Sequence, residues 1–150
     1  MRLFIAIPLA EEMKKELVAY MHDLKKQGVE GSYVPAQNLH LTLAFIGEYD
    51  NPAQVKKVLE SVPLQPFRLS LSEKGNFGDI LWAGVKGNQK LKTAGIPFAD
   101  DKFIPHITLI RKASARKSYE VRLPKAEMMV KKASLLKSEM KGGKTVYKEM

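Results

Sequence analysis

Of the three histidines in this 150-residue chain, two sit in one four-residue pattern, His-apolar-Thr-apolar. The copies are His40-Leu41-Thr42-Leu43 and His106-Ile107-Thr108-Leu109, in a sequence with only four threonines. Side chains alternate along a strand, so His40 and Thr42 share one face while Leu41 and Leu43 occupy the other, and the second copy behaves alike. Each strand then buries its apolar side and presents an imidazole and a hydroxyl about 7 Å apart. If two related halves bring these strands together, one phosphate fits between two imidazoles. A neutral imidazole takes the proton of an attacking water, and an imidazolium opposite protonates the leaving oxygen. The hydroxyls of Thr42 and Thr108 hold the non-bridging oxygens. Histidine suits both tasks because its reference pKa of ~6.5 makes both protonation states available near neutrality. This chemistry needs no metal and no cofactor.

The rest of the composition removes competing chemistries. Without cysteine there are no disulfides, thiol nucleophiles or cysteine-bound metals, and His-x-Thr lacks zinc-ligand spacing. His22, the remaining histidine, flanks an apolar stripe and is expected at the surface. Gly75-Asn76-Phe77-Gly78 and Gly84-Val85-Lys86-Gly87 lack the phosphate-loop pattern and read as turns, so no ATP dependence is expected. The longest apolar run, Leu3 to Ala10, falls short of the ~20 residues of a membrane span. With Glu11, Glu12, Lys14 and Lys15 directly behind it, that run reads as a buried strand rather than a signal peptide, which predicts a cytoplasmic protein with no membrane partner.

Charge is unevenly spread. Residues 1–110 hold 13 Lys+Arg against 12 Asp+Glu, and residues 111–150 hold 12 against 4, so the last forty residues carry +8 of the net +9. Such a cluster fits a polyanionic partner, through release of counterions from phosphates.

The length and composition predict a single α+β domain over residues 1–150. Arg2 to Ile7 reads as a strand, followed by a helix with Met13, Leu17, Tyr20, Met21 and Leu24 on its apolar face. Tyr33 to Pro35 is a short extended piece and Leu39 to Ile46 a strand. Asn51-Pro52 opens a second helix with Val55, Val58, Leu59 and Val62 as its face. Strands follow at 67–71, 80–85 and 103–110, and Met128 to Met140 pairs with Thr145 to Met150 around the turn at 141–144.

The chain echoes itself, which predicts two pseudo-symmetric halves. Phe4 precedes His40 by 36 positions, whereas Trp82 precedes His106 by 24, leaving no room for a full crossover helix in the second half. We expect residues to be missing around Lys92 and Thr93, rather than the helix to be genuinely stunted.

These residues resemble the two-histidine phosphoesterases, specifically the LigT-like RNA 2',3'-cyclic phosphodiesterases, also called 2',5' RNA ligases. The likeness rests on the opening Met-Arg-Leu-Phe-Ile-Ala-Ile, on Pro35 to Gly47 with Asn-Leu-His-Leu-Thr-Leu, on Leu81-Trp82-Ala83-Gly84-Val85, and on Phe103 to Arg111 with Pro-His-Ile-Thr-Leu. The resemblance implies a bilobal α+β fold, with a central cleft between lobes of mixed or antiparallel sheet and helices outside. It implies a monomer that hydrolyses 2',3'-cyclic phosphates of RNA ends or nucleosides to 2'-phosphates, with His40 as general acid and His106 as general base. The pseudo-symmetry itself assigns neither role. Arg111, five positions after His106, stands where the family places a basic side chain near the phosphate, and a guanidinium grips phosphate oxygens in bidentate fashion. Its mate in the first half is Phe45, which stacks on a base or, the preferred reading, packs into the lobe. Two alternatives stay open: a 2',5' RNA ligase or other enzyme of 2',5' phosphodiesters, and a noncatalytic RNA-binding module.

Overall fold

A computed structural model describes residues 2–61, 66–86 and 106–150. The elements run β1 (Arg2–Pro8), α1 (Glu11–Lys26), β2 (Val29–Tyr33), a 3-10 turn (Ala36–Asn38), β3 (His40–Glu48), α2 (Pro52–Ser61), β4 (Phe67–Phe77), β5 (Ile80–Lys86), β6 (His106–Ala115), β7 (Glu127–Val130), β8 (Ser134–Lys141) and β9 (Lys144–Glu149). They form two sheets, of order β3-β1-β8-β9 and β2-β6-β5-β4-β7, and every pair of described strands is antiparallel. The expected α+β class holds. The expected break near Lys92 and Thr93, and the strand start at 103–105, lie outside the described residues. Among the described residues no helix is long and apolar enough to cross a membrane.

The five apolar positions read as the face of α1 are its five buried residues. Glu11 and Glu12 meet the positive end of that helix and Lys25 and Lys26 the negative end. Ile7, Leu41 and Leu43 of the first sheet join Leu69, Ile107 and Leu109 of the second and Met13, Leu17 and Leu24 of α1 in one buried cluster. Burial of each such side chain contributes about 1.5–3 kcal/mol. The apolar alternation of the two histidine strands therefore anchors both to the same core.

Three sequence expectations need correction. The side chain of Asn51 caps α2 by accepting the Gln54 N–H at 3.2 Å. That helix buries none of its residues, and Val58, expected on its apolar face, is 60% exposed. Of that expected face Val55 and Leu59 turn partly inward, one turn apart, while Val62 lies outside the described residues. Second, 128–140 is two strands rather than one: β7 pairs with β4 in one sheet, and β8 pairs with β1 and β9 in the other. The intervening 131–133 carries the chain between sheets, a change of partner that periodicity does not encode. Third, 75–77, read as a turn, belongs to β4, and the turn is Gly78-Asp79, while 84–86 belong to β5, as the strand reading of 80–85 expects and the turn reading of Gly84-Val85-Lys86 does not.

Candidate active site

The two histidine strands have the same register against their neighbours. His40 pairs with Pro8 and Thr42 with Ala6; His106 pairs with Gly84 and Thr108 with Trp82. Each strand then carries a β-bulge at the same step. Ala6 faces Thr42 but Ile5 faces Ala44, leaving Leu43 as the extra residue; Trp82 faces Thr108 but Leu81 faces Ile110, leaving Leu109 extra. A bulge places two residues against one and inverts the alternation beyond it. Strict alternation would turn the residue five positions after each histidine to the opposite face. The bulge brings it back. Phe45 accordingly pairs with Phe4, two residues from Ala6, and so lies on the face of Thr42. Leu109 and Ile110 are both buried and Arg111 is exposed, as the same inversion requires.

β3 and β6 approach within 8 Å, Cα to Cα, where the sheets meet. His40, Thr42, His106 and Thr108 are all half-buried. The Nδ1 of His40 lies 2.6 Å from the carbonyl oxygen of Asn38, which only accepts, so Nδ1 carries the proton and Nε2 is left to react. Asn38, buried in the 3-10 turn, is itself tied down because its side-chain amide donates to the carbonyl of Thr145 at 3.0 Å.

Burial pushes the His40 pKa below its ordinary 6.5; the Asn38 hydrogen bond opposes this, and the charges of Arg111 and His106 add to the lowering. The unfolded chain takes up this proton more readily than the folded one, so the contribution of a neutral His40 is complete above about pH 6.5 and is lost as pH falls below it. The denaturant midpoint should drop between pH 7.5 and 5, and His40→Gln should flatten that drop. An equal slope in the variant would assign the pH dependence elsewhere.

Each imidazole also has two aromatic neighbours. His40 has Phe4 at 5.1 Å and Tyr147 of β9 edge-on at 5.0 Å, centroid to centroid. His106 has Trp82 at 5.7 Å and Phe77 edge-on at 5.1 Å. Sequence reading missed all four as neighbours of the histidines. Only the cross-strand register reveals them, although Phe4 and Trp82 already stood out on the strands preceding each motif. Phe45 does not pack into the lobe as expected: it is 81% exposed, with its ring 6.0 Å from Phe4. His22 is exposed, as expected.

A family model described as LigT like Phosphoesterase matches residues 7–87. The chain belongs to the LigT-like phosphoesterases. It is by family a phosphodiester hydrolase. The model match contains the His40 strand and ends before His106. Among LigT-like relatives, the RNA 2',3'-cyclic phosphodiesterase of Thermotoga maritima is 30% identical, over 74% of this chain and 70% of its own. That of Escherichia coli K12 is 31% identical, over 75% and 73%. The crystal structure of E. coli LigT in apo form has a TM-score of 0.76 at 28% identity, covering 99% of this chain and 94% of its own. The same LigT has been crystallised with phosphate and with 3'-AMP. The family fold thus spans both histidine strands of this chain.

Proposed function

We propose that the protein hydrolyses 2',3'-cyclic phosphate ends of RNA to 2'-phosphates, with His40 and His106 as the acid–base pair. The observation that carries this reading is the matched register of two His-x-Thr strands, which approach within 8 Å, Cα to Cα, where the sheets meet. The water oxygen attacks phosphorus and gives its proton to His106. The bond from phosphorus to the 3'-oxygen breaks, and that oxygen takes the proton of His40. Hydrolysis leaves His106 protonated and His40 neutral, so one proton returns through solvent before the next turnover.

Thr42 and Thr108 hold the non-bridging oxygens, and Arg111 grips the phosphate. A bound phosphate monoanion offsets the Arg111 charge that disfavours protonation of His40, so substrate itself prepares the acid. Phe45, returned to the reacting face by its bulge and largely exposed, offers a stacking surface to the base one ribose away. The relatives' names and the LigT complexes with phosphate and 3'-AMP support a nucleotide substrate. The +8 carried by residues 111–150 favours an RNA chain over a lone mononucleotide.

The deciding experiment is product analysis. Purified protein with a nucleoside 2',3'-cyclic phosphate in excess chelator should release only the 2'-phosphate. Formation of the 3'-phosphate, or loss of turnover to the chelator, would refute this mechanism.

A further inference from the structure

Trp82 lies against His106 and is itself held in an unusual way. Its cross-strand partner on β4 is Gly75, and a Cβ built at that glycine would come within 2.3 Å of Cη2 and Cζ2 of the indole and 2.8 Å of Cζ3. The six-membered ring of the indole therefore occupies the volume that any side chain at 75 would need. On its neighbouring side, a Cβ at Gly84, the residue paired with His106, would lie 3.2 Å from the same Cζ3. Phe77 closes the arrangement, 5.0 Å from the Trp82 ring and 5.1 Å from that of His106. The indole Nε1 is buried without a hydrogen-bond partner among the described residues. The contacts that place the ring among the described residues are those of packing against Gly75, Gly84 and Phe77.

We infer that Gly75 and Trp82 are positioning residues: the bare backbone at 75 seats the indole, and the indole with Phe77 fixes the orientation of the His106 imidazole. Ring contacts of this kind have preferred geometries, and a well-packed aromatic neighbour leaves an imidazole few orientations. Proton transfer from water demands such control, because a small misplacement of a catalytic group lowers turnover without changing how substrate binds. This inference rests on the acid–base role proposed for His106.

The test is a double-mutant cycle on the full chain. Gly75→Ala displaces the indole that lies against His106 and should lower kcat at least tenfold with KM changed less than threefold. Trp82→Phe removes the part of the ring that meets the new methyl, so Gly75→Ala with Trp82→Phe should recover most of the lost kcat. In NMR spectra the ring protons of His106 should shift in Gly75→Ala and move back in the double variant. A lowered melting temperature with unchanged kcat and unchanged His106 resonances would overturn the inference and leave a purely structural glycine. So would a loss of kcat that Trp82→Phe does not relieve. If His106→Ala is inactive while Gly75→Ala is fully active, this inference fails alone; if His106→Ala is active, the proposed function fails with it.

Discussion

Turnover of a nucleoside 2',3'-cyclic phosphate should fall by about 10² to 10⁴ when either His40 or His106 is replaced by alanine, the range that one placed acid or base supplies. Expressed as barrier height, that is roughly 3 to 5.5 kcal/mol per histidine. The double variant should lose much less than the product of the two, because groups that act as a unit fail together. The pH profile should be bell-shaped in the intact protein, and each single substitution should remove one limb of the bell. His40 is tied through Nδ1 to Asn38, so its loss also frees a carbonyl in the turn before β3. Melting temperature must therefore be measured alongside, and the expected result is a turnover loss far larger than any change in folding explains. Full activity in both single variants would remove the imidazole pair from the mechanism.

The largest effect on folding should come from the opposite faces of the same strands. Leu41 and Ile107 are both 0% exposed and stand directly beside His40 and His106 in the chain. Truncation to alanine removes their transfer free energy and leaves a cavity, which typically costs 2–5 kcal/mol for such residues. Total stability of a domain is about 5–15 kcal/mol, so either change takes away a large share of it. Chemical denaturation should show a lower midpoint with an unchanged slope, the sign that stability and not compactness has altered. Activity per folded molecule should fall far less than in the histidine variants. A destabilisation below about 1 kcal/mol at both positions would mean that these strands are not anchored as their burial states.

The sequence made the candidate reacting groups legible because repetition of a four-residue pattern is local information. Alternation on His40 to Leu43 and His106 to Leu109 sorted half-buried from buried side chains, and the structure keeps that sorting. The helix face of α1 was readable for the same reason, since a period close to four residues needs no knowledge of what the helix packs against. Phe45 was misread because its exposure depends on the bulge at Leu43, and no periodicity announces where a strand gains an extra residue. The change of sheet between β7 and β8 was hidden for a related reason: both pieces look like one strand until their partners are known.

What the chain alone determined, then, is which residue types stand on one face of two strands, a matter of alternation at short range. Only tertiary structure decided that Phe45 and Arg111 return to that face, and that Gly75 is bare where an indole must lie. Those outcomes depend on register between strands far apart in sequence, and register is set by packing of the whole core, which no local pattern records.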